Sequence, residues 1–132
     1  GYGGGPSDYG GDFNTPRREF LDGTVYTWGQ TETGVLRRSR PGWDAIERSV
    51  VVGLADFDLA DVFRRIHGYG VAATSWVARR SGREWPRRFD HVFASQRLGA
   101  YACRYVDEWR TDGLSDHAAM EVDFAPAGGT AE

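Results

Sequence analysis

The chain has 132 residues, a net charge of −3, 40% apolar and 27% charged residues, and five Trp, six Tyr and seven Phe. That length holds one domain with a core of its own, and that composition excludes a disordered polar chain. The acidic balance excludes a protein that coats nucleic acid through a general positive field and leaves room for a local basic site.

Residues 1–10, "GYGGGPSDYG", are glycine-rich and read as a segment without order of its own; they lack the basic and apolar regions of a signal peptide. One domain is expected over 11–125, since no repeat or linker divides it, followed by a solvated, disordered tail over 126–132. In "GGDFN" one residue separates Asp12 from Asn14, which in extended chain turns both side chains to the same side. Asn14-Thr15-Pro16 reads as a loop leading to a helix, and residues 22–48 are polar with little periodicity. Val50 to Leu54 make an apolar, β-branched run that predicts a short strand. In "DLADVFRRIHGYG", Asp58 is the expected N-cap, Leu59, Val62, Phe63 and Ile66 share one helical face, and Gly68 and Gly70 end the helix.

"RRSGREWPRR" holds five Arg and one Glu beside Trp85. It reads either as a loop that grips phosphate and stacks on a base or as solvated surface. All sixteen basic residues of the chain are Arg and none is Lys, a usage that suits bidentate phosphate contacts and follows equally from coding composition. "RRFDHVFAS" alternates Phe89, His91 and Phe93 against Asp90, Val92 and Ala94, as a strand does. "AYACRYVDEW" and "AAMEVDF" are two more such strands. The single cysteine, Cys103, forbids an internal disulfide, points to a reducing, cytoplasmic compartment and reads as an inert core residue. No run has the length of a membrane span, and a soluble protein is expected.

Asp90 lies inside an apolar strand, where an unpaired carboxylate is costly to bury. Its partner is either Arg87 or Arg88 in an ion pair, or His117, whose second nitrogen a carboxylate would hold to fix tautomer and favour imidazolium. In "GLSDHAAM", Ser115, Asp116 and His117 sit at a strand entrance, on the rim where loop residues converge on ligands. Ser115 reads as a turn residue, because the Gly-x-Ser-x-Gly elbow that exposes a nucleophilic serine is missing.

In this order "GDFN", "TSW" at Thr74 to Trp76, "RFDHVF" and "LSDH" resemble the C-terminal half of the endonuclease/exonuclease/phosphatase superfamily, the group that includes deoxyribonuclease I and exonuclease III-type repair nucleases. The resemblance implies an α/β fold: a partial α/β sandwich, mostly antiparallel β-sheet with flanking helices, half of a four-layer architecture. It also implies a phosphoester hydrolase dependent on magnesium (or manganese), most simply a phosphodiesterase or nuclease; the arginine-rich segment favours DNA or RNA as substrate, with a phosphorylated small molecule or lipid headgroup as the alternative. On that reading Asp12 activates the attacking water, Asn14 and His117 contact the phosphate, and Asp90 orients His117. Asp116 belongs to the metal site, and Trp76, Arg87 and Arg88 contact substrate.

One departure matters. The superfamily's first half supplies an Asn and a Glu that is a principal metal ligand, whereas Glu19, Glu32 and Glu47 here all follow "GDFN". The expectation is therefore a fragment or short homologue, whose uncovered sheet face would invite self-association or a missing N-terminal half. The alternative is a catalytically incomplete module that binds a phosphorylated ligand or a protein.

Overall fold

β1, Asp8–Asp12, arises within the glycine-rich segment, and every one of its side chains is exposed. Its partner orders it. The strand runs antiparallel to β7, Asp90–Ala94, with Asp8 opposite Ala94 through Asp12 opposite Asp90, so backbone pairing supplies what glycine propensity does not. The computed structural model describes residues 6–126; residues 1–5 and the bulk of the expected tail, 127–132, lie outside the described residues. At one end of β1 the Ser7 and Ser95 backbones are joined by Ser95 N–H to Ser7 O (2.8 Å), and Ser7 N–H donates to Ser95 Oγ (2.9 Å). At the other end Phe13 N–H donates to Phe89 O (2.9 Å).

Asn14-Thr15-Pro16 leads not to a helix but to a small hairpin, β2, Arg18–Glu19, and β3, Val25–Tyr26. Its turn forms because the Asp22 carboxylate accepts from Thr24 N–H (2.9 Å). The strand expected at Val50 to Leu54 is absent. Val50 and Val51 end the helix α1, Trp43–Val51, and a 3-10 turn, Gly53–Phe57, follows. A short apolar run does not by itself separate a strand from a helix end. Here Asp44 in the first helical turn and its pairing with Arg48 (3.0 Å) favour the helix.

Asp58 ends that 3-10 turn in a left-handed conformation and is not the N-cap of the helix that follows. The cap is three residues on. β4, Ala60–Asp61, runs straight into α2, Val62–His67, and the Asp61 carboxylate accepts from Arg64 N–H (3.3 Å). Gly68, at φ 73°, stops α2 as expected.

The arginine-rich segment is a hairpin rather than a loop: β5, Trp76–Arg80, pairs with β6, Arg83–Arg87. Ser81 and Gly82 both have positive φ (51° and 75°), the type I′ geometry whose twist matches that of the flanking strands. β7, Asp90–Ala94, β8, Ala100–Val106, and β9, Ala119–Phe124, are the three alternating strands; a short helix α3, Glu108–Thr111, precedes β9.

One sheet has the order β1-β7-β4, and β2-β3, β5-β6 and β8-β9 form separate antiparallel pairs. The fold is thus mixed α/β, mostly antiparallel sheet with flanking helices, a partial sandwich. Its core lies where α2 meets β7 and β8: Val62, Phe63, Ala94, Ala100 and Cys103 are buried together, with Val92, Tyr105 and Met120 against them. Each such large apolar side chain contributes about 2 kcal/mol through burial. Burial also pushes the Cys103 thiol up to about 11, as befits an unreactive core residue. Among the described residues no helix is long and apolar enough to cross a membrane.

Candidate active site

Three segments distant in sequence meet at one end of the central sheet. β1 delivers Asp12 at its last residue, directly opposite Asp90, the first residue of β7. The chain entering β9 is docked beside them, because Trp76 and His117 form a β-bridge and Ala118 N–H donates to Ser75 O (2.7 Å). Ser75 is itself buried, and its Oγ accepts from the N–H groups of Phe89 (2.9 Å) and Asp90 (3.1 Å). The "TSW", "RFDHVF" and "LSDH" segments are therefore tied together through Ser75, by its Oγ on one side and its carbonyl on the other.

His117 Nδ1–H donates to Asp90 Oδ2 at 2.7 Å, and its Nε2 lies 3.4 Å from Asp12 Oδ2. The choice left open for Asp90 falls to His117. Partial burial alone would lower the imidazole's affinity for a proton. The hydrogen bond and charge of Asp90, with the charges of Asp12 and Asp116, outweigh that and raise it above its ordinary value. The charged form of the ring is thus favoured more than in a free imidazole, and Nε2 faces the Asp12 carboxylate. One donor atom from each of Asp12, Asp90 and His117 lies within 4.8 Å of the others.

Asn14 joins the site differently from expectation. It is not in extended chain but left-handed, at φ 55°, so the same-side rule of a strand does not govern it. Its N–H donates to Asp12 Oδ1 (2.9 Å), an Asx turn, and its carbonyl accepts from Trp28 Nε1–H (3.0 Å). Both Asp12 oxygens are thereby assigned, one to the turn and one to His117. Ser115 is a turn residue, its Oγ accepting from His117 N–H (3.1 Å). Asp116 is exposed on the same turn, outside the group of three.

No family model, curated protein or solved structure matches this chain. The site is accordingly read from its own geometry.

A cleft of about 980 Å³ opens beside the three residues, with Asn14, Trp76 and Arg87 in its lining. Trp76 is stacked on Phe89 (5.4 Å between centroids) and lies 6.4 Å from the His117 ring. Arg88 corrects its assignment to substrate. It is 4% exposed and its guanidinium is bound by Glu19 (2.7 Å) and Asp61 (2.5 Å). A cation so enclosed is structural: with the Glu19–Arg64 pair (2.8 Å) it ties the β2–β3 hairpin to α2 and to the start of β7.

The cleft's other wall, Arg17, Arg18, Tyr26 and Trp28, is absent from the sequence reading. The signal was present in "GDFNTPRREF", where two arginines follow Asn14 closely and Pro16 forbids a regular helix between.

Proposed function

We propose that the chain is a metal-dependent phosphoester hydrolase acting on a phosphodiester. The observation that carries this reading is the convergence of Asp12, Asp90 and His117 from three remote segments, with His117 held by Asp90 on one nitrogen and facing Asp12 with the other. The motif resemblance and the arginine-lined cleft beside the group support it.

The donor chemistry suits a hard divalent cation. Asp12 and Asp90 face one another across a strand pair and supply carboxylate oxygens, and exposed Asp116 adds another carboxylate on the adjoining turn. Magnesium or manganese held there with Asp116 as a ligand would neutralise phosphate charge and stabilise the leaving oxygen. The protein's own groups divide the remaining work. Asp12, fixed by the Asn14 N–H, accepts the proton of the attacking water. Imidazolium His117 donates Nε2–H to a phosphoryl oxygen as charge develops, and Asp90 keeps the ring oriented. The exposed Asn14 amide offers a further donor to that phosphate.

One observation favours a second reading. Asp90 already gives Oδ2 to His117, and among the described residues the group of three contains no other carboxylate besides Asp12. A module that binds phosphorylated ligands without turnover would need nothing more.

Magnesium-dependent cleavage of bis(p-nitrophenyl) phosphate and of supercoiled DNA separates the two. Cleavage lost in EDTA and in an Asp12→Ala, His117→Ala double variant supports the hydrolase. Turnover equal to that of the variant, with retained binding of phosphorylated ligands, supports the module.

A further inference from the structure

The cleft concentrates positive charge on an acidic chain. One face of the β5–β6 hairpin makes a wall, since the cross-strand pairs Trp76–Arg87, Ala78–Trp85 and Arg80–Arg83 all line it. The Arg79–Glu84 ion pair (2.9 Å) occupies the alternate positions of the same hairpin. From the facing wall Trp28 lies beneath two guanidinium groups, with Arg17 5.0 Å and Arg87 5.6 Å from its ring centroid.

Five arginines line the cleft against one acid, Glu32, which is 79% exposed and 3.7 Å from Arg17. Arg87 Nε is buried with no hydrogen-bond partner. Burial, and then the charges of Arg17 and Arg18, hold the Arg87 guanidinium below its ordinary value. Like charges gathered this closely, with a donor left unpaired, are relieved by an incoming anion.

We propose that this cleft binds an unpaired stretch of nucleic acid, with Arg17, Arg18 and Arg87 on its phosphates and Trp85 and Trp76 stacking on its bases. The aromatic residues decide between ligand chemistries. A phosphorylated headgroup satisfies arginine but gives Trp85 nothing to stack on, and a duplex keeps its base faces stacked inside and presents only their edges. A cleft of about 980 Å³ is also of small-ligand size, room for a few nucleotides. Trp76, 6.4 Å from His117, marks the direction in which the strand continues to the reacting phosphate. The catalytic meaning of this assignment rests on the hydrolase reading; the binding does not.

The test is fluorescence anisotropy in EDTA, which reads binding with cleavage suppressed. A short fluorescein-labelled single strand, a duplex of the same sequence and vesicles carrying phosphatidylinositol bisphosphate are each titrated with the full chain. The single strand is expected to bind about tenfold or more tighter than the duplex, and its affinity to fall steeply with salt. Trp85→Ala weakens it about tenfold, and Arg83→Ala reduces the salt slope. Both residues lie on the exposed hairpin, so the variants keep the fold. Duplex or vesicles bound as tightly as the single strand would overturn the proposal, as would a Trp85→Ala variant with unchanged affinity. Binding as expected without magnesium-dependent cleavage removes the hydrolase reading alone; cleavage with an unchanged KM in Trp85→Ala removes this one alone.

Discussion

Asp12 stands directly opposite Asp90 on paired strands, and His117 reaches both, its Nδ1 2.7 Å from Asp90 Oδ2 and its Nε2 3.4 Å from Asp12 Oδ2. Like charges directly opposite in an antiparallel pair are destabilising on their own. The raised affinity of His117 for its proton is the same fact seen from the histidine. A folded-state pKa above the ordinary 6.5 means that the contribution to stability is complete below that pH and is lost as pH rises through the folded value. NMR titration is expected to place His117 above 6.5, and Asp90→Asn to bring it down. A His117 midpoint unmoved by that substitution would contradict the account.

Glu19 behaves in the opposite sense. Burial disfavours its charge, yet hydrogen bonds and charge from Arg88 and Arg64 prevail and hold it at about 2. The stability it confers is present above its ordinary 4.5 and disappears as pH falls from there toward 2. Glu19→Gln leaves two buried guanidinium groups short of a counter-charge and should cost about 3 to 5 kcal/mol at pH 7. Urea denaturation at neutral pH and near pH 3 measures both, and the variant should lose most of the wild-type difference between them.

Asp116 is exposed and outside the close group, so its removal should leave the fold intact, within about 0.5 kcal/mol. On the proposed hydrolase reading, in which it is a metal ligand, its removal should nevertheless be felt. Asp116→Asn is expected to raise the magnesium concentration for half-maximal cleavage several-fold with an unchanged melting temperature. An unaltered magnesium dependence would remove Asp116 from the proposed metal site.

The turn Ser81-Gly82 sets the hairpin wall. Gly82 at φ 75° has open space where a side chain would go, so the penalty for Gly82→Ala is conformational, about 1 kcal/mol. Thermal denaturation should report that loss. Oligonucleotide affinity should fall as well, because the spacing of Arg80, Trp85 and Arg87 depends on the twist of the turn.

The elements legible in sequence are those whose pattern their own burial enforces. In β7 and the residue before it, Phe89, His91 and Phe93 are buried while Asp90 and Val92 between them are half-buried, which is the alternation read from sequence; which of the candidate partners Asp90 takes is decided only by the fold, which brings His117 to it. β1 was illegible because nothing in "DYGGD" favours a strand until β7 lies beside it. The β5–β6 hairpin was obscured by charge: its arginines answer the cleft, and the period of two is carried by Trp76, Ala78 and Arg80 rather than by hydrophobicity. Arg88 was misassigned because its partners, Glu19 and Asp61, are brought to it only by tertiary folding.

β1 offers no buried side chain to resist sliding along its neighbour, and strands of this kind specify their register weakly. A slip of a single residue would turn the Asp12 carboxylate to the reverse side of the sheet. What prevents it is the pair of hydrogen bonds between Ser7 and Ser95 at one end and the Phe13–Phe89 bond at the other. The aim of the acid that would activate water is thus calibrated in part a whole strand away, where Ser7 meets Ser95.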